Sequence, residues 1–150
     1  MSQREAIVNW FRRVWTEEDE SAIDTYFVGE GLAFGLSERP MQGPPDFKPF
    51  HRALCAQLTG FRFTIDDYVE SKDRIWAICH LDAVTRDAAA RPVTLRGFLT
   101  ATCRDGRIVE AYNLWDFLDL YAQMGQLPRD AFALGLAGKL GAARAGGPAA

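Results

Sequence analysis

The sequence predicts a single α+β domain in which helices come first and a meander of antiparallel strands follows. Apolar residues recur at three- and four-residue spacing as far as Leu58, which is the period of amphipathic helices. From Phe61 the period changes to two, with Phe61, Phe63 and Ile65 alternating against Arg62, Thr64 and Asp66. The strand-like runs that follow are joined by connections far shorter than a parallel crossover needs, so neighbours must be antiparallel.

Ser2 with Glu5 makes a capping box, and Ile7, Trp10, Phe11, Val14 and Trp15 then form one helical stripe. Thr16 with Glu17, Glu18 and Asp19 reads as the start of a second helix, because carboxylates favour the positive end of the helix dipole. Residues 32–36 fit a short strand and 37–45 a loop. Asp46 caps a third helix with Phe47, Phe50, Leu54 and Leu58 inside, Pro49 in its first turn and His51 beside the stripe. Four long strands follow, from Phe61 and over 74–86, 92–103 and 107–117. A helix over 117–124 stops at Gly125, and Pro128 opens a short terminal helix to residue 140. The domain is expected over 1–140, with 141–150 a mobile Ala/Gly-rich tail.

At 150 residues the chain is long enough for a core without metal or disulfide staples. A 48% hydrophobic and 25% charged composition argues against disorder and against a membrane span, and a net charge of -3 offers no footprint for nucleic acid. Cys55, Cys79 and Cys103 are odd in number and in no CxxC, so they read as buried thiols of a cytoplasmic protein, and the charged start lacks the apolar core of a signal peptide. His51 and His80 stand far apart without a ligand motif, and no GxGxxG, P-loop or GxSxG is present, so neither metal nor organic cofactor is expected. The second long strand is apolar on both faces, which predicts that both are covered: one by helices, the other by a second copy in an isologous homodimer through the sheet.

This order of elements resembles the NTF2-like fold. The run from Arg104 through Asp105-Gly106-Arg107-Ile108-Val109-Glu110 to Trp115-Asp116 resembles the closing hairpin of SnoaL-like polyketide cyclases, in which a D-G-[KR]-I-x-E turn leads to an Asp. Gln123-Met124-Gly125-Gln126-Leu127-Pro128 resembles that family's Q-[LM]-G-x-[LI]-P ending. The resemblance implies a curved sheet wrapped around three helices as a cone, a small apolar molecule in its pocket, and Asp116 as the acid/base of a cofactor-free cyclisation or isomerisation. A carboxylate desolvated in an apolar pocket becomes a better base near neutral pH. The chain departs from the family in lacking its G-T-H-x-G-like stretch and any His in 93–103; the second strand carries Cys79-His80-Leu81-Asp82-Ala83 instead.

Each candidate has a structural alternative. Asp116 is either the base or the cap of the helix at Phe117. His80 shares a strand face with Trp76, Ile78 and Asp82, so His80 with Trp76 and Asp82 either contacts substrate, His80 steadying an oxyanion, or forms a satisfied polar pair. Tyr112 alternates with Glu110 and Asp116 and either offers its hydroxyl to a carbonyl or packs. His51 lies at the pocket mouth or in solvent, with substrate contact as the sharper reading. Three functions therefore stand: a proton-moving cyclase or isomerase, a non-catalytic binding module, and an epoxide hydrolase of the limonene type, imitated by His80-x-Asp82 and Asp116 with His80 where that chemistry needs Arg.

Overall fold

A computed structural model describes residues 1–141, and it forms two compact units, Met1–Trp115 and the segment from Asp116 onward. Apart from Gly141, the expected mobile tail lies outside the described residues.

The expected capping box opens α1 (Gln3–Trp10): the Glu5 backbone N–H donates to Ser2 Oγ at 3.0 Å and the Ser2 N–H to Glu5 Oε2 at 2.8 Å. The helix then continues in π-helical form over Phe11–Thr16, with Phe11, Val14 and Trp15 buried. The acidic run after it does not start a helix. Glu18 takes a positive φ of 51°, and every carboxylate of the run is bound elsewhere. Glu17 pairs with Arg12 at 2.7 Å and Arg13 at 2.6 Å, Glu18 with Arg86 and with the Thr59 hydroxyl at 2.9 Å, Asp19 with Arg13 at 3.0 Å, and Glu20 with Arg52 at 2.6 Å. The second helix, α2 (Ala22–Tyr26), is accordingly little more than one turn.

Strand β1 (Phe27–Phe34) starts earlier than expected, and a two-residue strand, β2 (Met41–Gln42), pairs with it. Helix α3 (Gly43–Cys55) begins three residues ahead of Asp46, with prolines in its first turn; Asp46 Oδ2 accepts from the Gln42 N–H at 2.8 Å. Pro49 thus sits in the second turn, where its missing N–H leaves one helical hydrogen bond unmade.

The long strands are β3 (Leu58–Glu70), β4 (Ile75–Thr85), β5 (Pro92–Arg104) and β6 (Arg107–Trp115), paired antiparallel in sequence order. They belong to a curved six-stranded sheet ordered β2-β1-β6-β5-β4-β3, in which β1 lies parallel to β6. The sheet is therefore mixed: the whole meander separates β1 from β6, and a connection that long permits parallel pairing.

Register sorts the side chains. Phe63, Leu81 and Leu95 align on one face, as do Ile65, Cys79, Gly97 and Trp115, and this is the face the helices cover. Phe11 stacks on Phe63 with ring centroids 3.7 Å apart, and Trp15 meets Phe47, Phe50 and Phe61 edge-on at 5.4–6.2 Å. A bulge in β3 around Asp66, a positive φ at Gly60 and the charges of Arg62, Asp66 and Asp67 discourage further strand pairing along that outer edge.

In the second unit, α4 (Phe117–Gln123) is followed by Gly125 at φ 78°, which ends it, and α5 (Ala131–Leu136) is shorter than the expected terminal helix. No helix among the described residues is long and apolar enough to cross a membrane.

Two outcomes test this packing. The Ser21 hydroxyl holds the Asp19 carboxyl below its ordinary value, and the Arg52 guanidinium does the same for Glu20. Their stabilisation is present above the ordinary carboxylate pKa and is lost as pH falls through the depressed folded values. Melting temperature followed by circular dichroism should fall on acidification, less steeply in Glu20→Gln; an identical slope in the variant would detach that ion pair from stability. At Gly97 a Cβ would overlap the indole of Trp115. Gly97→Ala should therefore cost about 1–3 kcal/mol in urea unfolding and change the tryptophan emission; unchanged stability would contradict the close approach.

Candidate functional site

The side chains that β4 to β6 turn toward the helices are Ile75, Ala77, Cys79, Leu81 and Ala83; Val93, Leu95, Gly97, Leu99, Ala101 and Cys103; and Ile108, Ala111, Asn113 and Trp115. Most of this inner face is buried. Partly exposed side chains gather at one end, where Phe63 and Ile65 of β3 stand with Asn113 and Trp115. The bare Gly97 backbone lets the Trp115 indole lie flat over the sheet, 6.1 Å from Phe11. Trp115 Nε1 donates to Asn113 Oδ1 at 3.3 Å, and Asn113 Nδ2 donates to the Phe34 carbonyl at 3.1 Å, so the amide is held from both ends.

This wall is apolar and almost free of ionisable groups. Burial pushes the thiols of Cys79 and Cys103 up to about 12, which keeps both protonated and unreactive. Glu70, at the far end of β3, accepts from the Gln3 backbone N–H at 2.6 Å and serves the start of α1. The remaining ionisable interior group is His51, 2% exposed, on α3. It lies neither at a mouth nor in solvent, because the π-helical stretch brings Val14 and Trp15 over it: its Nε2 is 2.8 Å from the Val14 carbonyl and its ring 4.9 Å from Trp15.

The other candidates are placed elsewhere. Trp76, His80, Asp82 and Tyr112 share the opposite, outer face of the sheet, away from the helices of the main unit. This corrects the expectation that they line an interior pocket with the helices. There His80 Nδ1 lies 2.8 Å from Asp66 Oδ2 and its Nε2 3.6 Å from Asp82 Oδ2, while the Thr94 hydroxyl donates to Asp82 Oδ1 at 2.7 Å. His80 and Asp82 thus form a satisfied polar cluster, and the arrangement needed for epoxide hydrolysis is not assembled on the inner face. Tyr112 stacks on Phe34 at 4.4 Å. Asp116 is exposed and caps α4, its Oδ1 accepting from the Asp119 N–H at 3.0 Å.

Sequence reasoning passed over the end wall of Phe63, Asn113 and Trp115. The one signal for it is Gly97, an isolated glycine inside a strand, which marks close approach of another group.

Part of the outer face is exposed. Ile78, Phe98 and Leu114 align directly across β4, β5 and β6 and are 54%, 40% and 75% exposed. Val69, Trp76 and Tyr112 form the adjoining row. Around them stand Arg62, Asp82 and the ion-paired Arg74 and Glu110.

Comparison with known proteins follows from this geometry. Among curated proteins none matches the sequence. Solved structures do match in fold: a protein of Jannaschia sp. CCS1 assigned to the SnoaL-like polyketide cyclases (TM-score 0.68, 14% identity, covering 83% of this chain and 92% of that one) and IdmH of Streptomyces antibioticus, assigned as a polyketide cyclase (0.67, 18%, 81% and 97%). A third is a Catenulispora acidiphila protein of ketosteroid isomerase-like fold in complex with trimethylamine (0.69, 18%, 87% and 98%). The family model of the SnoaL-like polyketide cyclases matches residues 5–126, from α1 through the glycine that ends α4, and the chain belongs to that family.

Proposed function

We propose that this SnoaL-like protein binds a small, largely apolar, ring-bearing molecule against the inner face of its sheet. One observation carries the reading: among the described residues, that face offers aromatic and aliphatic surface with Asn113 as its held polar group, and it presents no free acid or base for chemistry. Aromatic walls bind rings through burial and edge or offset stacking. The trimethylamine complex of the Catenulispora relative supports small-molecule binding in this fold.

A second reading, proton transfer by Asp116 on a carbonyl-bearing ring, is favoured by the match of the closing motif to the family, which runs through Asp116. Asn caps helices as well as Asp does, so Asp116→Asn separates the two readings without unfolding α4. In a thermal-shift series of cyclic ketones and aromatic esters, ligand at about a hundred times its dissociation constant adds ~2.7 kcal/mol. The binding reading expects equal stabilisation of wild type and Asp116→Asn, with the compound recovered unchanged. Product formed by wild type and not by the variant would replace it with the catalytic reading. No stabilisation by any ring compound would defeat binding.

The outer face supports a second copy of the chain as its cover. The row of Ile78, Phe98 and Leu114 is exposed and flanked by charges of both signs, so an isologous contact would bring it against itself without net repulsion. Light scattering at micromolar concentration should give a dimer for wild type and a monomer for Phe98→Glu. A wild-type monomer would remove the proposal.

A further inference from the structure

His51 is the one imidazole of the interior, and only half of it is accounted for. The Val14 carbonyl is available to it because the chain turns away after the π-helical stretch: the Glu18 N–H donates to the Trp15 carbonyl and the Asp19 N–H to that of Arg13, each at 3.3 Å. A carbonyl can only accept, so the 2.8 Å contact places a proton on Nε2, and in the neutral ring Nδ1 is then a bare lone pair. The Cys55 sulfur lies 3.5 Å from that same Nε2 and offers nothing to the far side of the ring. Nδ1 is fully buried, and no group among the described residues donates to it. Buried polar atoms without a partner are rare in folded proteins and call for an explanation. Capping Val14 needs a single donor; it does not need a second nitrogen. The ring stands edge-on to Trp15, and its neighbours Phe50 and Cys55 on the same helix are partly exposed.

The geometry points to Nδ1 of His51 as the acceptor for a hydrogen-bond donor carried by the bound ring, which makes the ligand class a hydroxylated ring compound. This rests on the binding function proposed above and adds the polar half of recognition to an otherwise apolar wall. Because Nδ1 of the neutral ring can only accept, a ring bearing only acceptors, such as an ether or a ketone without an enol, gains nothing from His51. A buried acceptor set against a ligand donor discriminates well, since the analogue lacking the donor leaves the acceptor unmet.

The probes are 1-naphthol and its methyl ether, 1-methoxynaphthalene, titrated by calorimetry against wild type and His51→Gln. Glutamine retains an N–H to reach the Val14 carbonyl and removes the second ring nitrogen. The expected result is a preference of wild type for the naphthol of about tenfold, falling to near one in His51→Gln. Should that variant fail to fold, the 15N resonance of Nδ1 in wild type decides: it should move on adding the naphthol and stay in place with the ether. Equal affinity of wild type for both probes, or a preference kept in His51→Gln, overturns the role of His51 while ring binding stands. Failure of both probes to bind overturns ring binding and this inference together.

Discussion

The constraint on which the rest of the main unit depends is the placement of Trp15 between helix and sheet. Its indole meets Phe47, Phe50 and His51 of α3 on one side and Phe61 of β3 on the other, all edge-on, which is the arrangement the aromatic quadrupole favours. Trp15 stands in the π-helical continuation of α1, where Phe11, Val14 and Trp15 are all buried. The π-helical stretch, the early break at Glu18 and the shortness of α2 are thus one feature: the chain holds three large side chains to the sheet and then turns sharply.

That turn explains the acidic run. Four successive carboxylates repel one another, and in this chain the repulsion is relieved by partners drawn from the π-helical stretch, α3, the β4–β5 connection and β3. Each pair is exposed and individually weak. Together they hold a backbone that takes a positive φ at Glu18. From the sequence alone the same run reads as a helix start, because local charge favours that and Arg52, Thr59 and Arg86 lie 32 to 68 residues away in the chain, where no local rule reaches them.

The sheet was more legible, with one informative failure. Strand existence, order and antiparallel pairing follow from the two-residue period and the short turns, and the strand from Ile75 is apolar on both faces as read. What alternation cannot show is a bulge. Cys103 pairs with Ile108 and Thr102 with Glu110, leaving Val109 extra. Strict alternation from the buried Ile108 carries Glu110 and Tyr112 inward; the inserted residue turns both outward and brings Asn113 and Trp115 in. One residue thus reverses the assignment of Tyr112 and hides the wall that Trp115 makes. His80 is a different case. Alternation grouped it rightly with Trp76, Ile78 and Asp82, but a strand apolar on both sides does not say which side the helices take.

These two faces divide the protein's chemistry. The outer face holds the charge pairs and an exposed apolar row; the inner face holds shape, aromatic surface and thiols too deeply protonated to react. Among the described residues the sheet gives this face no acid or base beyond Glu70, which serves the start of α1, and its held polar group there is Asn113. Helix α3 supplies one such group in His51, held by a backbone carbonyl that the π-helical turn leaves free. The feature that packs Trp15 against the sheet is thus also the one that presents the Val14 carbonyl to the interior imidazole, so the packing of the core and the hydrogen bond of His51 derive from the same turn of helix.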